Sequence, residues 1–290
     1  MCYAIWVRHV GFVLKRQKPE AEAIARELIP WLSAQGLRSV VLPEQAKLAP
    51  DVEVATEVEI GEAVDILICL GGDGTLLHAA ALVGDHGKPV LGINLGTMGF
   101  LVPFAPAEAR SALERALAGQ LALEERIRLA VEIHRDGQAT TRAALNDAVL
   151  SQGSMARLVE LVATLDGQQI ARYKADGLII STPTGSTAYN LAAGGPILTP
   201  TQASLAITPI CPHTLTHRPL VVPAASRVVI TLGAGTVGVF LTIDGQWGYP
   251  LAADDRIEIY QASHPLRLYK SGKGYFEILR EKLSWGSRAS

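Results

Sequence analysis

Ile66-Leu67-Ile68-Cys69-Leu70-Gly71-Gly72-Asp73-Gly74-Thr75-Leu76-Leu77 is the stretch around which the chain is organised. The apolar run 66–70 reads as a buried strand. Gly71, Gly72 and Gly74 then crowd around one carboxylate, and a helical pattern runs from Thr75 to about Val83. Strand, glycine turn and helix make the form of a phosphate-cradling loop. Glycine permits positive φ and presents no Cβ to a ligand, and the free N–H groups of a helix start favour anions. Asp73 is the odd member, because a carboxylate repels phosphates. Its expected work is to hold a hydroxyl, bind a metal or accept a proton. A plain strand-to-helix turn, with Asp73 or Thr75 as its cap, is the alternative reading of this stretch alone.

On either side, strands and helices alternate. Strands are predicted over His9–Leu14, Ser39–Leu42, 64–70 and Pro89–Asn94. Helices are predicted from about Glu20 to Ala34, with Ala23, Ile24, Leu28 and Leu32 on one face, and from Pro106 to Gly119. A second glycine turn, Gly96-Thr97-Met98-Gly99-Phe100, follows the strand that ends at Asn94. Such alternation predicts a mostly parallel sheet with helices on both faces, whose ligands lie beyond the C-terminal strand ends. Residues 43–60 carry no assignable pattern.

The texture changes near Arg126. Three Asp-Gly pairs, Asp136-Gly137, Asp166-Gly167 and Asp244-Gly245, follow alternating apolar runs and predict hairpins. Further strands are expected over Val228–Leu232, Val237–Ile243 and Arg256–Tyr260, so this part reads as a mainly β domain. A helix returns over Tyr275–Leu283, with Phe276, Leu279 and Leu283 on one face, and is expected to pack on the first domain. The predicted fold class is therefore α/β: residues 1–125 with the tail 267–290 as an α/β domain, and residues 126–266 as a mainly β domain.

The 290 residues are 49% hydrophobic, enough for packed cores, and the net charge of −2 provides no global field for nucleic acid or an anionic membrane. Three scattered cysteines argue against a disulfide framework and fit a reducing cytosol. No apolar run is long enough to span a bilayer. The expectation is a soluble cytoplasmic protein.

Three more constellations carry chemistry. Asn146-Asp147 interrupts an apolar β run. A carboxylate can take both hydroxyls of a ribose diol, and an Asn can pair with an adenine edge; an ordinary turn between strands is the other reading. From Lys174 to Pro196, a carboxylate at Asp176 precedes a buried strand. Five Ser/Thr hydroxyls then surround Pro183 and Gly185, and Tyr189 follows. That density reads as a polar ligand cradle. Asp244-Gly245-Gln246 is either a further site element or only a hairpin turn. Cys211, His213 and His217 lack a fourth ligand for zinc, and Ser181 and Ser186 lack the G-x-S-x-G context of a hydrolase nucleophile.

Taken in order, Gly71-Gly72-Asp73-Gly74-Thr75, Gly92-Ile93-Asn94-Leu95-Gly96 with Gly99-Phe100-Leu101, Asn146-Asp147, Asp176-Gly177 through Tyr189, and Asp244-Gly245-Gln246 resemble bacterial NAD kinases, from about His9 to Trp285. Lipid and sugar kinases share the first motif but not the long Ser/Thr segment. The resemblance implies transfer of the γ-phosphoryl group of ATP to the 2′-hydroxyl of the adenosine ribose of NAD. ATP would enter with a divalent cation, Mg²⁺. Asp73 would be the catalytic carboxylate, with Gly71, Gly72, Gly74 and Thr75 as the phosphate loop. NAD would be held by Asp73, Gly74, Asn146, Asp147, Arg157, Lys174, Asp176, Thr187, Ala188, Tyr189, Asn190, Leu191, Ala192 and Gln246. Lys174 would favour NAD over NADH, indirectly, through loop shape or a phosphate. No resident metal site, nucleic acid or membrane partner is implied, and a homodimer or homotetramer is. Two positions depart from the family's commonest pattern: His78 stands where many members have Arg, and Lys15-Arg16 where Gly-Arg is frequent. A dinucleotide-binding regulatory module is the non-enzymatic rival, against which the intact Asp73 speaks.

Overall fold

In chain order, the first part of the computed structural model comprises β1 (His9–Leu14), α1 (Pro19–Ala34), β2 (Arg38–Val41), β3 (Glu53–Val54), α2 (Ile60–Ala63), β4 (Ile66–Gly71), α3 (Asp73–Val83), β5 (Pro89–Asn94), α4 (Ala109–Leu117) and β6 (Leu123–Arg126). The structure describes residues 7–96, 99–153 and 158–284. The chain divides into two compact units, residues 1–125 with 266–290, and residues 126–265.

The first unit is a seven-stranded sheet in the order β3-β2-β1-β4-β5, then the C-terminal strand 266–269, then β6. β1 pairs in parallel with both β2 and β4. The chain therefore winds outward in one direction from β1 and returns to start the other half at β4. That reversal leaves a crevice at the C-terminal ends of β1 and β4, where open α/β sheets take ligands. One face of the sheet packs a core with α1: Val10, Phe12, Ile66, Ile68, Leu70, Leu91 and Ile93 from the strands, with Ala21, Ala25, Leu28 and Leu32 of the helix. Ala23 was expected on that face and is exposed; the stripe runs through Ala21 and Ala25, four residues apart and one turn from Leu28.

The second unit continues with β7 (Leu129–Arg135), β8 (Gln138–Ala144), β9 (Asp147–Gln152), β10 (Val159–Leu165), β11 (Gln168–Ala175), β12 (Gly177–Ser181), α5 (Tyr189–Ala192), β13 (Ser204–Ile210), β14 (Leu220–Pro223), β15 (Val228–Leu232), β16 (Val239–Ile243), β17 (Trp247–Pro250) and β18 (Arg256–Gln261). Two antiparallel six-stranded sheets, β11-β10-β15-β18-β7-β8 and β14-β13-β12-β9-β16-β17, share one core. Asp136-Gly137, Asp166-Gly167 and Asp244-Gly245 all have positive φ at both residues; the first two are two-residue primed hairpin turns, and the third is followed by Gln246 in a three-residue loop.

Side-chain alternation in this sandwich positions the site. Ala148 and Leu150 of β9, with Leu241 and Ile243 of β16, enter the core. Asp147, Val149 and Ser151, with Thr242, therefore project from the opposite face, and Thr242 stands beside Val149 in register.

The chain returns to the first unit through β19 (Leu266–Tyr269), which pairs in parallel with β5, and ends in α6 (Tyr275–Leu283). Leu279 of α6 is buried, but Phe276 and Leu283, expected beside it, are exposed.

Candidate active site

Asp73 opens α3, two residues earlier than the sequence pattern suggests, directly after Gly72. Its carboxylate accepts the main-chain N–H of Phe100 at 2.8 Å and of Leu101 at 3.1 Å. One side chain thus ties the first glycine turn to the second. Thr97 and Met98 of that second turn lie outside the described residues. Gly99 packs so closely that a Cβ there would come 1.9 Å from Asp73 Oδ1. Asn94 supports the same turn, its Oδ1 accepting the N–H of Gly96 at 3.1 Å.

The three glycines of the first turn have separate reasons. Gly71 ends β4, and a Cβ there would strike Thr75 Oγ1 at 2.2 Å. A Cβ at Gly72 or Gly74 would meet no described atom within 4 Å. None of the three has positive φ. The expected sharp left-handed turn is absent: the glycines leave room, and the bend comes from direct entry of β4 into α3. His78, one turn along α3, lies 3.6 Å from Glu57.

Over the ends of β1 and β2 lies a cavity of about 720 Å³. Its lining includes Lys15, Arg16, Gln45 and Lys47. The loop carrying Lys15 is bonded to the strand that feeds the turn, Lys15 N–H to Leu70 O at 2.8 Å. Sequence reading met Lys15-Arg16 only as a departure and missed Lys47 altogether. The signal that could have found Lys47 is a cation in the loop after the second strand, at a C-terminal sheet end.

In the second unit, a cavity of about 390 Å³ lies on the outer face of β9 and β16, lined by Asn146, Asp147, Val149 and Ser151, by Ala188 and Tyr189, and by Thr242, Asp244 and Gly245. The corner before β9 is tightly held. Thr182 Oγ1 donates to Leu145 O, and Thr182 N–H to Asn146 O at 2.9 Å. Gly185 packs on the same corner, where a Cβ would lie 2.2 Å from Asn146 O. The Ser/Thr segment thus acts largely as a brace. Asn146 is 9% exposed, and among the described residues its Oδ1 has no hydrogen-bond partner. Burial in the first place, and the neighbouring Asp244 charge in the second, push the Asp147 carboxyl up to about 7.

Of the residues named from sequence, Asn146, Asp147, Ala188 and Tyr189 are brought together here. Thr187, Leu191, Ala192 and Gln246 are near in sequence to this lining but not part of it. Asn190 faces inward and is fully buried: its amide donates to Ser186 O and Pro196 O, and its Oδ1 accepts from Thr208. Asp176 and Lys174 are exposed and lie off the lining, at the Ser151 end, where Gly177 pairs with Ser151. Arg157 lies outside the described residues. Asp73, Gly74 and the other turn residues belong to the first unit.

Cys211 is exposed, and the His217 ring packs against Tyr173 with centroids 4.9 Å apart. Glu132, His134 and Glu258 form a group of possible metal ligands on the other sheet, but Glu258 already pairs with Arg227 and Arg256.

Comparison with known proteins decides the family. The ATP-NAD kinase N-terminal domain model matches residues 10–121 and the ATP-NAD kinase C-terminal domain model matches residues 145–271. The chain belongs to the NAD kinase family. Among curated relatives in this family, the NAD kinase of Geotalea daltonii is 45% identical over 284 residues, covering 97% of this chain and 100% of its own. That of Syntrophobacter fumaroxidans is also 45% identical, covering 97% and 99%. Among solved structures, yeast NADH kinase complexed with NADH superposes with a TM-score of 0.91 at 29% identity, covering 98% of this chain and 89% of its own. An NAD kinase from Archaeoglobus fulgidus in complex with ATP shares the fold at a TM-score of 0.78 and 22% identity, over 96% of this chain and all of its own. As a member of the NAD kinase family, the protein is a phosphotransferase.

Proposed function

We propose that the protein transfers the γ-phosphoryl group of ATP to the 2′-hydroxyl of the adenosine ribose of NAD, giving NADP and ADP. The β9 cavity takes the adenosine. The observation that carries this reading is the Oδ1 of Asn146, buried at the cavity wall beside Asp147 and without a partner among the described residues. A buried amide oxygen without a donor costs on the order of 1–3 kcal/mol, and the exocyclic amine of adenine would relieve it. Asp147, one residue on, meets the ribose hydroxyls. From Asp147 to Ser151 the strand runs four residues, about 13 Å at 3.3 Å each, enough for the ligand to extend toward Asp176 and Lys174.

Asp73 is the catalytic carboxylate in this reading. An ionised carboxylate has about four lone-pair positions. Phe100 and Leu101 use two, which fixes the group's orientation and leaves two for the acceptor hydroxyl. Phosphoryl transfer has a loose transition state, so aligning the hydroxyl and taking its proton late is the protein's main task. The donor enters as its complex with a divalent cation, Mg²⁺, carried mainly by the phosphates. The cavity over β1 and β2 suits the donor: it lies over the C-terminal end of β1, where open α/β sheets take ligands, and presents Lys15 and Lys47, both exposed.

Self-association into a homodimer or homotetramer is supported by the edge strand β14, which exposes Leu220 at 40% and Val221 at 43%. A cytoplasmic setting belongs to the same reading, supported by three scattered cysteines that fit a reducing compartment; none of the described helices is long and apolar enough to cross a membrane. The test is an assay of purified protein with ATP and Mg²⁺ against NAD, NADH, a diacylglycerol and a hexose phosphate. NADP formed from NAD is expected; turnover of the lipid or sugar with none of NAD would overturn the reading.

A further inference from the structure

Two carboxylates meet at the corner where β9 begins, and the protein treats them unequally. Asp244 accepts three successive main-chain N–H groups, from Leu145 at 2.7 Å, Asn146 at 2.7 Å and Asp147 at 3.1 Å. The Asp244 N–H returns a bond to Asp147 O at 3.0 Å. Asp244 and Gly245 both have positive φ, and the Asp244 side chain turns away from β17 onto the corner before β9. Asp147 receives nothing comparable: among the described residues no donor reaches its carboxylate, although it is only 5% exposed.

The charge follows from this layout. Two ionised carboxylates in one buried corner repel strongly, so such a pair holds a proton between them over a wide pH range. Three N–H dipoles stabilise the ionised form of Asp244, so the proton belongs on the other member. We propose that Asp244 is a positioning residue for the dinucleotide: it fixes the 145–147 corner and leaves Asp147 protonated, so that Asp147 offers the ligand an O–H donor beside a C=O acceptor. The proposal rests on the reading of Asp147 as a dinucleotide contact.

The other charged and titratable groups around the corner fit the same picture. Tyr189 is the remaining titratable side chain on the cavity lining. Arg128 favours the ionised form of Asp244, although burial raises that carboxyl overall. Burial and the Asp244 charge act together on Asp147. A neutral Asp147 spares the ligand's diphosphate a repulsive charge. One Asp147 oxygen accepts from a ribose hydroxyl and the other donates to the second, while Asn146 Oδ1 accepts from the adenine amine.

The experiment measures KM for NAD at saturating ATP in the full-length protein, between about pH 5.5 and about pH 8.5, a range that brackets the ionisation. Wild type is compared with Asp147→Asn, Asp147→Ala and Asp244→Asn. Wild-type KM is expected to climb above neutral pH, approaching tenfold per pH unit. Asparagine copies the donor and acceptor of a protonated acid, so Asp147→Asn should lose that dependence. Its KM should lie nearer the wild-type acid limb than that of Asp147→Ala. Asp244→Asn should move the climb to lower pH and raise KM more than it lowers kcat. A flat wild-type profile, or an Asn variant as impaired as Ala on the acid limb, would overturn the proposal while keeping Asp147 in the site. An Ala variant with wild-type KM would instead remove Asp147 from the site, and the proposal with it. The wild-type and Asp147 profiles decide the matter even if Asp244→Asn fails to fold.

Discussion

The carboxylate of Asp73 and the α-carbon of Gly99 touch so closely that no side chain fits between them, a Cβ at Gly99 falling 1.9 Å from Asp73 Oδ1. The next N–H along the chain, that of Phe100, donates to Asp73 Oδ2 at 2.8 Å. The second glycine turn therefore wraps the carboxylate that the first turn supplies. Its geometry is set by two elements 27 residues apart.

Gly99→Ala should accordingly damage catalysis without touching the dinucleotide cavity. The methyl group must push Asp73 aside or break its bonds to Phe100 and Leu101. The expected result is a fall in kcat of about 10²-fold, in the range for misplacing a positioned group, with KM for NAD changed by less. Steady-state kinetics on the purified variant check it, and a variant with near wild-type kcat would show that the turn yields without moving Asp73.

Lys47→Ala tests the donor cavity. Lys47 lies at the end of the 3₁₀ turn over Pro43–Leu48 and lines the cavity with Lys15. The two are exposed cations, so each phosphate contact is of modest strength, and the expected effect is a several-fold rise in KM for ATP. KM for NAD should stay near wild type. The reverse pattern would move the donor elsewhere.

The protonation of Asp147 has a consequence for stability. Its folded value of about 7 lies above the ordinary aspartate value of about 3.9 in the unfolded chain. Between those values the unfolded chain has lost the proton and the folded chain has kept it, so this group's contribution to stability falls as pH rises through that window. Asparagine cannot ionise. Asp147→Asn should therefore gain stability relative to wild type at pH 8 compared with pH 5, as read by the difference in melting temperature at each pH. An equal difference at both pH values would mean that Asp147 ionises normally.

Local chemistry made much of this fold legible. The three Asp-Gly pairs announced their hairpins because positive φ at two adjacent positions is tolerated by few residues. β5 and α6 were read with their observed bounds, one from Pro89 and the short apolar stretch after it, the other from its helical period. What depends on distant partners was hidden. β19 is four residues long with Arg267 inside it, and only its pairing with β5 makes it a strand. Residues 43–60 hold a 3₁₀ turn, a two-residue strand and the start of the four-residue helix α2, all too short to show a period. In the site, Asn146 and Asp147 were visible as polar interruptions of a strand. The work of Asp244 was not, because its three N–H donors lie 97 to 99 residues earlier in the chain. Asn190 shows the converse: it sits in the most telling motif, yet its amide braces the loop from within.

The most direct test of the account is Asp73→Asn, measured in two ways on one preparation. NADP formation from NAD with ATP and Mg²⁺ reads the chemistry, and calorimetric titration with NAD reads binding. Asparagine keeps the shape but loses the charge and basicity, and loss of a general base typically costs about 10²–10⁴-fold in rate. The account predicts a turnover loss in that range with NAD affinity within a few-fold of wild type. Turnover within a few-fold of wild type would contradict it, because the carboxylate at the glycine turn would then have no part in moving the proton.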